Sequence, residues 1–398
     1  MTNDVLIFAT LFTGLALIAA VLSLWFGVAT ALSEIVVGTV AAFVLENEFG
    51  ITLIPKDAGW ITFLAGAGSI LLTFLAGAEI EPDVLRLKWK EATAIGLTGF
   101  LAPFIGCGML SYYILHWGVS ASLLSGVALS TTSVAVVYAV MIEFGLNKTD
   151  YGKTVLAACF INDLVTVLVL GFIFSPFTIK TAIFFGASLL TLAILPSVTS
   201  YLFAYLGRRP SEFETRYILF VLFGLGALAS YAGSEAVLPA YVVGMVLAKT
   251  AGRDHVLIRR LRTLTLGLLT PFYFLRAGSL ISIPTLASAP GVLFLLLFGK
   301  MASKFAGVYP CTKVFKSPPK EAMYTTLLMS TGLTFGTISA LFGLSHHIID
   351  VKEYTFLVAA VVGSAVVPTL IANTFFLPKH LISGLSSAEE EISGNTSD

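Results

Sequence analysis

Lys153-Thr154-Val155-Leu156-Ala157-Ala158-Cys159-Phe160-Ile161-Asn162-Asp163-Leu164-Val165-Thr166-Val167-Leu168-Val169-Leu170-Gly171-Phe172-Ile173-Phe174 is an apolar run with a single carboxylate near its middle. About 20 mostly apolar residues in helical form cross the hydrocarbon core of a bilayer, because a helix satisfies its own backbone groups where no water can. This run is long enough, and Asp163 is its only charged side chain between Lys153 and Lys180. A charge at such depth costs about 2.5 to 3.5 kcal/mol on insertion scales, so it belongs against protein or water and marks a function.

Runs of the same kind recur along the chain, which is 57% hydrophobic and 12% charged, against about 25% charged residues in soluble domains. The expectation is an all-α membrane protein of about thirteen transmembrane helices, near 5–26, 28–45, 60–78, 92–115, 120–144, 153–175, 179–207, 215–232, 234–250, 264–282, 287–309, 321–344 and 353–377. The first run is too long for a signal-peptide core and has no basic flank, so it reads as a membrane helix. Residues 1–382 form the transmembrane domain, and the Ser- and Glu-rich 383–398 a disordered cytoplasmic tail. The zero net charge does not discriminate among partners. Cys107, Cys159 and Cys311 lack metal-ligand spacing and read as structural.

Lys and Arg concentrate in cytoplasmic loops. With thirteen helices, 17 loop residues from Arg86 to Lys379 fall on one side and only Lys56, Lys180 and Lys352 on the other. A miscounted helix would scramble every later loop, so the asymmetry predicts an outside N-terminus and a cytoplasmic C-terminus.

The chain also resembles itself at a shift near 200 residues. Val36-Val37-Gly38 is echoed by Val242-Val243-Gly244, and Phe74-Leu75-Ala76-Gly77 by Phe274-Leu275-Arg276-Ala277-Gly278, with Pro82 and Pro284 following. Ser130-Thr131 recurs as Ser330-Thr331, and Phe144-Gly145-Leu146 as Phe342-Gly343-Leu344. Matched helices are seven apart, an odd number, so the copies, roughly 28–175 and 234–377, cross the membrane in opposite directions. Inverted-topology repeats with crossing discontinuous helices are a construction plan of secondary transporters. The hydroxyl-rich centres Ser130-Thr131-Thr132-Ser133 and Ser330-Thr331-Gly332-Leu333-Thr334 mark where two helices break and freed carbonyls can meet a cation.

Lys300, deep in the eleventh run, reads as a partner for the sixth helix, while Lys304 is one turn nearer the basic loop and reads as snorkelling. Arg276 is a third buried charge, structural or gating. His346-His347 read as a solvated loop feature. No phosphate-cradling loop, His/Cys cluster or nucleophile with a base is present, which argues against an enzyme and gives no cofactor.

From about residue 5 to 377 the chain resembles the monovalent cation/proton antiporters, especially their bacterial sodium/proton branch. Asn162-Asp163 looks like the family's ion-binding pair, Thr132-Ser133 like its Thr-Ser in the first broken helix, Gly299-Lys300 like its later Gly-Lys, and Phe74 to Glu79 like its Phe-x-x-Gly-x-Glu signature. The resemblance implies a six-helix core, a dimerisation domain and an elevator-like movement. Where many relatives carry Arg-Gly-Glu, this chain has Ser330-Thr331-Gly332-Leu333-Thr334, which leaves the ion open among Na⁺, Li⁺ and K⁺. The expectation is therefore an antiporter, embedded in the bilayer as a homodimer and independent of nucleic acid. Asp163 binds either a proton or the metal cation, Asn162, Thr131, Thr132, Ser133 and Thr331 shape the site, and Lys300 compensates charge. The alternatives are a cation-coupled organic-anion transporter, with Arg276 as the substrate-facing base, and a transport-inactive sensor or scaffold.

Overall fold

The computed structural model describes residues 2–50, 53, 59–78, 88–174, 178–206, 212–234 and 236–381. Glu79, Pro82, Lys56, Arg86, Arg208, Arg209 and the 383–398 segment lie outside the described residues. Among the described residues the structure is helical, with no strand. In chain order the α-helices are α1 Thr2–Phe26, α2 Thr30–Phe49, α3 Gly59–Ala78, α4 Trp89–Tyr113, α5 Val119–Ser130, α6 Val134–Glu143, α7 Asp150–Phe174, α8 Ile179–Leu206 and α9 Phe213–Tyr231. They continue as α10 Val237–Leu247, α11 His255–Leu264, α12 Thr270–Ser279, α13 Ile283–Ser288, α14 Pro290–Val314, α15 Pro319–Met329, α16 Thr334–Ser345 and α17 Val351–Ile371.

Among the described residues, eleven stretches are long and apolar enough to cross a membrane, with the α5–α6 and α15–α16 pairs each counted as one. The other two predicted spans coincide with shorter pieces. The 234–250 span falls on α10, only 11 residues long. The 264–282 span falls on a run in which the π-turn Thr265–Leu269 joins α11 to α12. Eleven of the thirteen predicted spans thus meet both length and apolarity, and the other two fall on shorter helical pieces.

The chain divides into two compact units. One comprises residues 1–82, 167–289 and 341–355. In it, two helix pairs approach through the glycines of the internal repeat. A Cβ at Gly77 of α3 would run into the Tyr241 carbonyl of α10, and one at Gly244 of α10 into the Phe74 carbonyl of α3. The matched pair behaves alike: a Cβ at Gly38 of α2 would strike the Leu275 carbonyl of α12, and one at Gly278 of α12 the Ile35 carbonyl of α2. Thr39 Oγ1 donates to the Gly278 carbonyl across that second contact, at 2.9 Å. Small residues let membrane helices approach to backbone contact. Here, glycines matched at a shift near 200 residues mediate two pairings, α3 with α10 and α12 with α2.

The second unit comprises residues 83–166, 290–340 and 356–398. Its apolar core joins Ile95 of α4, Val155, Ala158 and Cys159 of α7, Val308 of α14, and Leu327, Leu328 and Met329 of α15. It contains both interrupted helices up to the start of α16, and it holds the candidate site.

Candidate ion-binding site

The two breaks have the same local cause. A helix end leaves backbone carbonyls without N–H partners, and Ser and Thr side chains supply hydroxyl donors nearby. At the end of α5, Ser130 Oγ donates to the Val127 carbonyl at 2.8 Å and Thr131 Oγ1 to the Ala128 carbonyl at 2.9 Å. At the end of α15, Ser330 Oγ donates to the Thr326 carbonyl and Thr331 Oγ1 to the Leu328 carbonyl, both at 2.7 Å. The chain turns extended at Thr131, with φ −63° and ψ 152°. Residues 131–133 and 331–333 are not helical.

The two breaks bond to each other. Ser133 N donates to the Thr331 carbonyl at 3.2 Å and lies 3.4 Å from Thr331 Oγ1, while Thr132 Oγ1 donates to the Met329 carbonyl at 2.8 Å. Discontinuous helices therefore meet at the hydroxyl-rich centres quoted above.

Asn162 and Asp163 of α7 are beside this meeting point, with 0% and 2% of their surface exposed. Asn162 Nδ2 faces two carbonyl oxygens, Gly96 O of α4 at 3.4 Å and Ser130 O at the end of α5 at 3.3 Å. Two acceptors fix the amide with its NH₂ toward them, which leaves Oδ1 as the remaining group. Neither Asn162 Oδ1 nor Asp163 Oδ1 has a hydrogen-bond partner among the described residues. Buried oxygens without donors are rare, because each forfeits its hydration. Each is a buried acceptor that a donor or a dehydrated cation would satisfy.

Lys300 and Lys304 of α14 are fully buried. Snorkelling of Lys304 is therefore corrected: its Nζ donates to Thr132 Oγ1 at 2.9 Å, so the first break draws it inward. Lys304 is also the ammonium within electrostatic reach of Asp163. Lys300, one turn earlier, donates instead to Ser364 Oγ of α17 at 2.9 Å. The structure thus brings Asp163, Asn162, Thr131, Thr132, Ser133 and Thr331 together, adds Lys304 and Ser364, and directs Lys300 to a neighbouring contact. Arg276 belongs to the other unit, on α12. His346 and His347 are exposed. Among the described residues no cluster of three or more His, Cys, Asp or Glu side chains could hold a metal ion.

A carboxylate buried where two broken helices meet, within electrostatic reach of a buried lysine, is the arrangement of a secondary transporter of the crossing-helix class. The chain belongs to the sodium/hydrogen exchanger family, integral-membrane cation/proton antiporters: the family's transmembrane exchanger profile matches residues 10–377. The chain is 24% identical over 352 residues to the probable Na⁺/H⁺ antiporter 3 of Methanocaldococcus jannaschii, covering 85% of this chain and 89% of that one. It is 26% identical to cation/H⁺ antiporter 18 of Arabidopsis thaliana, covering 79% of this chain and 41% of that one. It is 25% identical to the glutathione-regulated potassium-efflux protein KefC of Escherichia coli K12, covering 85% and 55%. The chain therefore spans about half the length of the latter two. The solved sodium proton antiporter MjNhaP1 of M. jannaschii at pH 8 shares the fold, with TM-score 0.72 and 16% identity over 95% of this chain and 99% of that one.

Proposed function

We propose that the protein exchanges a monovalent cation, Na⁺ foremost with Li⁺ and K⁺ as further substrates, for protons at one carboxylate, Asp163. The observation that carries this reading is the pair of partnerless buried oxygens, Asn162 Oδ1 and Asp163 Oδ1. A proton on Asp163 and a cation bound by it exclude each other, so competition for one group couples the two fluxes without a third ion.

Each neighbour has a distinct task. Asn162, held by the Gly96 and Ser130 carbonyls, orients the pair. Thr132 receives Lys304 and grips the Met329 carbonyl, which places the compensating ammonium at the crossing. Ser133 and Thr331 keep the two breaks in register, and Thr131 caps α5. Lys304 takes the charge-compensating role that depth in the eleventh run and the resemblance give to Lys300. Na⁺ is placed first because the M. jannaschii relative is named a Na⁺/H⁺ antiporter; K⁺ is included because KefC is named for potassium efflux.

The loop asymmetry of 17 basic residues to 3 supports an outside N-terminus and a cytoplasmic C-terminus. The matched glycine pairings support two inverted repeats, near 28–175 and 234–377. The resemblance adds a homodimer and a core domain, and a unit holding every site residue supports the latter. The test is cation-induced dissipation of a pH gradient in proteoliposomes, scanned over Na⁺, Li⁺, K⁺ and a panel of organic anions. Collapse of the gradient by one or more alkali cations is expected. Collapse by organic anions alone would overturn the reading.

A further inference from the structure

Two sulfur atoms meet beside the exchange site and take no part in its chemistry. Cys159 of α7 and Met329 at the end of α15 are both fully buried, and Cys159 Sγ lies 3.6 Å from Met329 Sδ, with the thiol donating. A thiol is a weak donor and a thioether a weak acceptor, so the contact adds little as a hydrogen bond. As metal ligands the two are soft, and soft ligands select soft monovalent ions over the hard alkali cations. The separation suits that use. With metal–sulfur bonds of about 2.3 Å, two sulfurs 3.6 Å apart subtend about 103° at a metal ion, close to tetrahedral, and the flexible Met329 side chain can widen that angle.

The pair also lies where a cation would find it. Cys159 precedes Asp163 by one turn on the same face of α7, and the two are within electrostatic reach of each other. Asp163 Oδ1 and Asn162 Oδ1 are the buried oxygens without a partner. The methyl end of Met329 sits over Gly99 of α4, 3.1 Å from where a Cβ would be, and Asn162 Nδ2 is 3.5 Å from the same point. Thiol, thioether and the Asn162-Asp163 pair thus share one neighbourhood within the second unit. Cys107 and Cys311 have hydroxyl neighbours instead, Ser303 and Thr98.

We propose that Cys159 and Met329 form a binding site for a soft monovalent cation of the Ag⁺ or Cu⁺ kind, reached by the route that brings the alkali cation to Asp163. Neither sulfur is exposed, so a free ion arrives only by a path that already admits cations. Binding breaks the Cys159 S–H bond and forms a sulfur–metal bond, because the thiolate is the ligand. The proton leaves to water, one positive charge replaces another, and no atom changes oxidation state. Met329 Sδ supplies the second ligand through a lone pair. An ion so held sits one turn from Asp163 and blocks exchange, while Na⁺ and K⁺, being hard, pass the sulfurs by. The route rests on Asp163 as the exchange site; the binding rests on the sulfur pair alone.

The experiment titrates the purified protein with AgNO₃ in chloride-free buffer. Two quantities are read: silver retained per chain after gel filtration in detergent, and Na⁺-dependent proton flux in proteoliposomes, each variant against its own silver-free rate. The Cys107→Ser/Cys311→Ser variant, which keeps Cys159 as its only cysteine, should retain one Ag⁺ per chain and lose flux as the wild type does. Adding Cys159→Ser should remove the bound ion and the inhibition together. Adding Met329→Leu instead should raise the silver concentration for half-inhibition by about tenfold or more, since even an outer-shell partner is worth that much to a metal site. Raising Na⁺ well above its apparent KM should raise that concentration in the Cys159-only variant too, because both ions come by way of Asp163. Silver still bound after Cys159→Ser, none on the Cys159-only variant, half-inhibition unmoved by Met329→Leu, or indifference to Na⁺ would each overturn the proposal. Where Cys159→Ser does not exchange, the silver count in detergent decides. A wild type with one Ag⁺ at Cys159 but no alkali-cation flux overturns the exchange reading instead and leaves the sulfur site standing.

Discussion

At Asp163 the requirement is a group that can be neutral with a proton and negative with a cation, within a bundle that punishes permanent charge. Asn has the same shape and cannot alternate, so Asp163→Asn should abolish exchange while leaving an inserted, folded protein; wild-type-like cation-dependent proton flux in that variant would sink the assignment. Thr132 makes a second demand. It donates to the Met329 carbonyl and accepts from Lys304, so Thr132→Ala leaves a buried carbonyl and a buried ammonium each short of a partner. The expected cost is about 1 to 3 kcal/mol of stability, with raised apparent KM, and Thr132→Ser should restore most of both. Melting and flux curves measured on the same preparations check this, and equal deficits in the Ser and Ala variants would show that the hydroxyl is not the working group. Asp163 was legible in the sequence because a lone charge in an apolar run has few innocent explanations, and Asn162 only through the resemblance of the Asn-Asp pair. Lys304 was not, because linear position near a basic loop suggests snorkelling. Only the tertiary placement of Thr132 shows what holds its ammonium inside, and Ser364, an ordinary serine in an apolar helix, carried no signal at all.

Helices α5, α6, α15 and α16 show how a sequence can announce a broken element. Four hydroxyl residues in a row at 130–133, and a hydroxyl-Gly cluster at 330–334, interrupt otherwise apolar runs, and in the structure these side chains cap the freed carbonyls. The span count was less plain, since the predicted spans 234–250 and 264–282 fall on α10, of 11 residues, and on a run in which a π-turn joins α11 to α12, so length does not mark either as a full crossing. The repeat, by contrast, yields an element-scale prediction. Gly38 and Gly244 occupy matched positions, and each faces a carbonyl of its partner helix too closely for a Cβ. Gly38→Ala and Gly244→Ala should therefore destabilise to similar extents, by about 1 to 3 kcal/mol, whereas Gly14→Ala on α1, where a Cβ would meet nothing within 4 Å, should change little. Thermal melts of the three variants in detergent provide the comparison. A harmless Gly244→Ala beside a damaging Gly38→Ala would break the proposed equivalence of the two halves.

For the whole molecule, orientation and charge balance are the properties still to be measured. The 17 to 3 distribution of basic residues predicts that a cysteine placed near Arg259 reacts only with reagents that reach the cytoplasm; labelling from outside in intact cells would invalidate that topology. Stoichiometry follows from the charges at the crossing. Asn162 cannot titrate, so Asp163 is the one carboxylate of its apolar run that loses a proton when the cation binds. Lys304 is held by Thr132 and Lys300 by Ser364. If both ammoniums keep their protons throughout the cycle, the site carries the same charge with Na⁺ as with H⁺, and the membrane potential does no net work. Exchange is then electroneutral, one cation for one proton. Were either lysine to release its proton as the cation enters, two protons would exchange per cation and the cycle would move net charge. One elementary charge crossing 100 mV is worth about 2.3 kcal/mol, so the two cases separate cleanly. With a fixed Na⁺ gradient across proteoliposomes, and the potential clamped by valinomycin and K⁺ once K⁺ transport has been ruled out, the pH gradient at which net flux stops is expected to be independent of the clamped potential. A balance point that moves with the potential would reject one-for-one exchange. Its persistence in Lys300→Met but not in Lys304→Met would then identify Lys304 as the second proton carrier.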